Sequence, residues 1–157
     1  MMTEANHSRV WLFAALMFLM GLCSTVARAD ETTQILDAYR QFAAAQNAHD
    51  LVRVRSFLLD RPDFLWVTDG MSVWGVDNTI ERMEQFQKAK TWRVEPGISA
   101  ARPVMLSADA AFLHLPLSLV TGTETTPEIY QFLVSVLWLR TSKGWRIAGL
   151  LTTTKHP

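Results

Sequence analysis

Cysteine is nearly absent from this chain, which holds one in 157 residues, Cys23, inside an apolar N-terminal stretch. If that stretch is removed, the remainder has no disulfide, no thiolate nucleophile and no thiolate metal site. An excess of one charge is also missing, with 15 Lys+Arg against 15 Asp+Glu. The basic residues are scattered rather than clustered, so nothing offers the field that holds a phosphate backbone by counterion release, and no nucleic-acid partner is expected. Histidine is scarce, and His49, His114 and His156 fall on three different expected elements without ligand spacing. No metal and no cofactor is expected. Internal repeats and low-complexity linkers are lacking as well.

The chain begins with the parts of an export signal in order. Arg9 precedes the uncharged apolar run Val10 to Leu22, and small or polar residues follow, ending in Ala27-Arg28-Ala29. That order fits signal peptidase cleavage before Asp30. A membrane anchor is the rival reading. The uncharged stretch Val10 to Ala27 is 18 residues, diluted by Gly21, Ser24 and Thr25, whereas an anchor needs about 20 strongly apolar ones. A lipoprotein reading would use Cys23, but the bulky Leu22 stands before it where a small residue is wanted. Loss of residues 1–29 takes Arg9, Arg28 and Glu4, leaving 128 residues with 13 basic and 14 acidic side chains. The expectation is one small domain, 30–157, periplasmic or secreted, with no stable membrane insertion after cleavage and enough chain for one core.

Hydrophobic spacing then sets an order of elements. Ile35, Leu36, Tyr39, Phe42 and Ala43 form one helical stripe. After the polar break Gln46-Asn47-Ala48-His49, Asp50 suits the N-cap of a second helix carrying Leu51, Val54, Phe57 and Leu58, which Pro62 cannot continue. Phe64 to Thr68 and Met71 to Trp74 are β-prone runs separated by Asp69-Gly70 alone, a tight hairpin signal. Asp77 reads as the N-cap of a third helix with Ile80, Met83 and Phe86 on one side and Lys88 and Lys90 at its end. Strands follow: Trp92 to Met105 with a bend at Pro96-Gly97, Ala111 to Thr121, Ile129 to Thr141, and Trp145 to Thr154. The segment Gly122 to Pro127 is a polar, threonine-rich rim.

Helices, a hairpin, a helix and a long meander predict an α+β domain, a cone-shaped half-barrel in which a curved antiparallel sheet carries three helices on its concave face. With the hairpin leading into Trp74-Gly75-Val76-Asp77 and the closing strand Lys143-Gly144-Trp145-Arg146-Ile147, the chain resembles the nuclear transport factor 2-like superfamily, and in it the SnoaL-like branch. The likeness covers Glu31 to His156 and implies a cavity between the sheet and the first and third helices, of the kind that holds small, largely apolar molecules. It does not name a reaction, because that superfamily hosts isomerases, dehydratases, cyclases, hydrolases and non-enzymatic modules.

Lining material for such a cavity is present in Tyr39, Phe42, Trp66, Trp74, Met83, Phe86, Trp92, Tyr130 and Trp138, each of which could equally fill a core. Catalytic material is sparse. Where a ketosteroid isomerase-like site would carry its helix tyrosine this chain has Phe42, and its base falls near Thr68, beside Asp69 in the turn. Where many SnoaL-like proteins carry a histidine on the last strand this chain has Ala148-Gly149-Leu150-Leu151. His114 alternates with Phe112, Pro116 and Ser118, opposite the row Leu113, Leu115, Leu117 and Leu119. Facing the cavity it would be the natural acid or base; the favoured reading turns the leucine row to the helices and His114 outward. Asp63 and Asp69 are candidate carboxylates that also suit strand-end and turn positions. The expected function is non-catalytic binding of a small apolar molecule, and its rival is an isomerase, dehydratase or cyclase using a sparse site of His114, Asp63 and Asp69.

The late strands lack a polar face. Tyr130, Phe132, Val134, Val136 and Trp138 alternate with Leu133, Ser135, Leu137 and Leu139, and one covered side should leave the other polar. A homodimer through the outer sheet face is therefore expected, with a different protein or a membrane surface as competing occupants. The N-terminal reading yields a direct check: Edman sequencing of the exported protein should begin at Asp30, and a membrane-bound product retaining residues 1–29 would overturn it.

Overall fold

The computed structural model describes residues 30–88, 91–123 and 125–156. The export stretch 1–29 and Lys90 therefore lie outside the described residues. Residues 34–156 belong to one unit.

Helix α1 covers residues 34–47 of that unit, and its buried stripe is Ile35, Tyr39, Phe42 and Ala43, as the spacing predicts. It closes at His49, whose φ of 56° is left-handed, with the His49 N–H donating to the Gln46 carbonyl at 3.0 Å. Asp50 then caps α2 (Leu51–Phe57), its carboxylate accepting from the Arg53 N–H at 2.9 Å. The helix stops before Pro62 has any effect. Leu58 turns extended and forms an isolated parallel bridge to Ile147, and the Leu59 N–H donates to the Ile147 carbonyl at 2.7 Å.

Strands β1 (Leu65–Thr68) and β2 (Met71–Trp74) form the expected hairpin. Asp69 and Gly70 both have positive φ, 52° and 68°, which identifies a turn whose twist matches its strands. Helix α3 (Val76–Phe86) departs from expectation at its start. Its N-cap is Gly75, at φ 81°, with no side-chain cap, and Asp77 lies inside the first turn. Thr79 returns its hydroxyl to the Gly75 carbonyl, while the Asp77 carboxylate takes a hydrogen bond from Arg55 at 2.6 Å, so it complements the helix dipole instead of capping it.

The remaining strands are β3 (Arg93–Pro96), β4 (Arg102–Met105), β5 (Ala110–Gly122), β6 (Pro127–Thr141) and β7 (Gly144–Thr154). The seven form one curved, open sheet in the order β2-β1-β7-β6-β5-β3, with β4 also on β5. All pairs are antiparallel except β1 with β7, which is parallel, so the sheet is mixed where an antiparallel one was expected. The parallel pair follows from connectivity, because α2 carries the chain back to the start of β1 beside what becomes the last strand. Three helices, a mixed sheet and a concave inner face make the α+β cone.

The bend expected at Pro96-Gly97 is a full interruption, a 3-10 turn over Ile98–Ala100 that separates β3 from β4. Pro116 on β5 accounts for it. In an antiparallel strand a residue's N–H and C=O point to the same side, and the Pro116 carbonyl accepts from the Gly97 N–H at 2.8 Å. The donor that proline lacks is therefore missing on the side of β3 and β4, where the ladder breaks. Gly97 allows the close approach, since a Cβ there would sit 2.7 Å from Pro116 Cγ.

The core lies between α1, α2, α3 and the inner sheet face, where Leu113, Leu115, Val136, Trp138 and Ile147 are fully buried. Each such side chain contributes about 1.5–3 kcal/mol on burial. On β7 the alternation slips at Ala148: Leu137 pairs with Gly149 but Trp138 with Ile147. This bulge lets Ile147 and Leu150 both face inward.

The hairpin gives a clean stability test. A Cβ at Gly70 would meet nothing within 4 Å, so Gly70→Val should cost about 1–3 kcal/mol through backbone strain alone. A urea midpoint equal to wild type would show that the positive φ is not required.

Candidate ligand cavity

Beyond the packed core the inner face opens into a cavity of about 950 Å³. Helix α1 contributes Tyr39, Phe42 and Gln46, one stripe at helical spacing. On the sheet, β1 supplies Trp66 and Thr68, β5 supplies Leu117 and Leu119, β6 supplies Tyr130, Phe132 and Val134, and β7 supplies Leu150, Thr152 and Thr154. Met83 and Phe86 from α3 close the other side with Trp92. Phe86 holds this wall together. It meets Trp66 edge-on at 6.2 Å, stacks on Trp92 at 5.7 Å and carries the Arg82 guanidinium 4.8 Å from its ring centre.

Polarity rises along the cavity. Phe42, Val134 and Leu150 are buried, whereas Asp69, Thr154, His156 and Tyr130 are exposed and form the mouth. The Tyr130 hydroxyl donates to Glu128 at 2.7 Å, and that hydrogen bond, with the Glu128 charge, raises its pKa. Tyr39 is different. It is 1% exposed, its hydroxyl makes no hydrogen bond with another described residue, and burial alone pushes its phenol well above the ordinary value. The indole N–H groups of Trp66 and Trp92 are buried without an acceptor among the described residues, as are those of Trp138 and Trp145 away from the cavity.

Seven of the nine side chains expected to line a cavity do so: Tyr39, Phe42, Trp66, Met83, Phe86, Trp92 and Tyr130. Two do not. Trp74 pairs with Leu65, while Trp66 pairs with Val73; paired residues share a face, so Trp74 stands on the opposite face from Trp66 and is 54% exposed. Trp138 does face inward, but it is 0% exposed and fills core between Ala111 and Ile147.

The catalytic candidates are not brought together. His114 stands on the outer face, paired with Ser135 in register and linked to it by Nδ1 at 3.0 Å from Oγ, while Leu117 and Leu119 of the same strand line the cavity. Strand alternation thus excludes His114 as an acid or base inside the cavity. Asp63 lies outside it too, held by Arg61 through two hydrogen bonds of 2.9 and 2.6 Å. Asp69 reaches the mouth, from its turn. Among the described residues no cluster of three His, Cys, Asp or Glu side chains could hold a metal ion.

Sequence reasoning passed over Gln46, Thr68, Thr152, Thr154 and His156. The threonines carried a usable signal, being two residues beyond Trp66 and two and four beyond Leu150. It also passed over Asn47, whose amide clamps edge strand β3 by donating to the Val94 carbonyl at 2.9 Å and accepting from the Val94 N–H at 2.7 Å.

A cone of this topology is what the comparison with known proteins returns. A family model described as a SnoaL-like domain matches residues 35–150. The chain belongs to the SnoaL-like family. Solved structures similar to this SnoaL-like domain include a nuclear transport factor 2-like superfamily protein from Salmonella enterica serovar Typhimurium, with TM-score 0.74 and 10% identity over 83% of this chain and 94% of that one. A nuclear transport factor 2-like protein from Novosphingobium aromaticivorans gives TM-score 0.73 and 13% identity over 87% and 89%. A ketosteroid isomerase-like protein from Erwinia carotovora gives 0.62 and 19% over 77% and 93%. At these identities the likeness concerns the fold. No curated protein sequence matches the chain.

The buried phenol gives this SnoaL-like domain a measurable signature. The folded state holds the Tyr39 proton more tightly than the unfolded state, whose phenol titrates near 10.0. The associated stability is fully present below that pH and falls as pH rises past it, by about 1.4 kcal/mol per pH unit. Tyr39→Phe should remove this component, so that its urea midpoint declines less than wild type between about pH 9 and about pH 11. Parallel declines in the two proteins would contradict the burial.

Proposed function

We propose that this SnoaL-like domain is an exported binding protein whose cavity holds a small, largely apolar molecule without transforming it. The observation that supports this most is the wall itself: a cavity of about 950 Å³ with aromatic and aliphatic sides, in which Asp69 and His156 at the mouth are the only carboxylate and imidazole among the described lining residues. Binding there draws on apolar area removed from water and on the preformed rigidity of the sheet. Native mass spectrometry of the protein taken from its own compartment should show a retained small molecule, released on denaturation. Protein that is ligand-free from its compartment and that binds no apolar probe would refute the reading. The rival, an isomerase, dehydratase or cyclase, would draw its acid and base from Asp69, His156 and the tyrosines among the described lining residues, since His114 and Asp63 face elsewhere.

The outer face of the sheet supports a second copy of the chain as partner. Leu137 is 37% exposed there, and Leu151 and Val104 are exposed with it, while Leu117 is 9% exposed and faces the cavity. An apolar face of this kind is buried on both sides by pairing about a two-fold axis. Light scattering at about micromolar concentration should give twice the monomer mass, and Leu137→Glu should halve it while leaving the circular dichroism unchanged. A wild-type monomer at that concentration would refute the pairing.

A further inference from the structure

Polarity is spread unevenly across the sheet wall of the cavity. Toward β3 and β5 the sheet presents Val94, Leu117 and Leu119, and β6 presents Phe132 and Val134, with Tyr130 at the mouth. Toward β1 and β7 it presents Thr68, Thr152 and Thr154. The register gathers these three. Val67 pairs with Leu151 in the parallel ladder, so the next step brings Thr68 beside Thr152, on strands about 4.8 Å apart, and Thr154 follows on the same face about 6.6 Å further along β7. The bulge at Ala148 that turns Leu150 inward turns both β7 threonines inward with it.

Strand propensity does not account for the hydroxyls. Valine has the same shape as threonine and also favours strands. Thr68 is 8% exposed, and at such a position a methyl group is buried at lower cost than a hydroxyl. Among the described residues, none hydrogen-bonds to the side chain of Thr68, Thr152 or Thr154. A hydroxyl donates once and accepts as well, and a row of hydroxyls is best extended by a group that does both, because each bond in such a chain polarises the next.

Resting on the binding role proposed above, we infer that the ligand is an apolar molecule carrying a hydroxyl group, and that Thr68 and Thr152 are the residues that select it. The ligand hydroxyl joins the threonine row, accepting from one threonine and donating to the other, while the apolar body lies across Val134 and Leu117 toward β5. Thr154 continues the row to the mouth. The polar group is thus held along one side of the sheet, which fixes the orientation of the ligand in the cavity.

The test uses two probes that differ by one hydroxyl, 1-(2-naphthyl)ethanol and 2-ethylnaphthalene, titrated into the purified protein by calorimetry. Thr68→Val and Thr152→Val, both of which keep the side-chain shape, should each weaken the alcohol about three- to tenfold. The hydrocarbon should bind both variants at least as tightly as wild type, which also reports that the cavity is intact. Alcohol affinity unchanged in either variant, or alcohol and hydrocarbon weakened alike, would overturn this inference and leave the binding role standing. Failure of both probes to bind the wild-type protein would overturn both.

Discussion

Length sets the terms of this fold. Strands β5, β6 and β7 run for 13, 15 and 11 residues, and at about 3.3 Å per residue the longer two extend roughly 40 Å or more. The helices that must cover their inner face are short: α2 has 7 residues and α3 has 11, the latter about 16 Å long. Where helices reach, the inner positions Leu113, Leu115, Val136, Trp138 and Ile147 are fully buried. Where they stand off from the sheet, Leu119, Tyr130, Phe132 and Thr152 continue the same face into the cavity, with Tyr39, Phe42 and Gln46 of α1 and Met83 and Phe86 of α3 as its other walls. Core and cavity are thus one surface, divided by how closely the helices pack on it.

Keeping that surface curved depends on local devices that each have a chemical cause. Pro116 interrupts the ladder opposite Gly97 and splits the edge into β3 and β4. The Asn47 amide holds the Val94 backbone against the end of α1, supplying hydrogen bonds to an edge strand that would otherwise present them to another chain. The bulge at Ala148 resets the alternation of β7, so that core residues precede it and cavity residues follow. None of these touches the ligand space chemically, yet together they shape it.

Much of the architecture was legible because its signals are local. The stripe of α1, the Asp50 cap and the Asp69-Gly70 turn depend on a few neighbouring residues, and the structure reproduces them. The parallel pairing of β1 with β7 was not legible, since it joins segments some eighty residues apart. Trp74 is the instructive miss. A two-residue turn at Asp69-Gly70 already fixes Trp66 opposite Val73 and Trp74 opposite Leu65, so the two tryptophans could not share a face; the register was available in the sequence and was not carried through. Trp138 shows the reverse limit, because alternation gives its face correctly but cannot say where along the strand core gives way to cavity. The Asp77 cap failed because Gly75, at positive φ, begins the helix earlier.

Filling of the cavity by a small, largely apolar molecule is the claim on which the functional reading rests, and the tryptophans offer separate reporters of it. Trp66 and Trp92 line the cavity, Trp138 and Trp145 are buried outside it, and Trp74 stands on the outer side of the hairpin. The direct measurement is fluorine NMR of protein labelled with 5-fluorotryptophan, resonances assigned by single Trp→Phe variants, during titration with 2-acetylnaphthalene. Saturable shifts of the Trp66 and Trp92 resonances, with the other three nearly unmoved, are the predicted result. Shifts led by Trp74, or no saturable shift at Trp66 and Trp92, would contradict it.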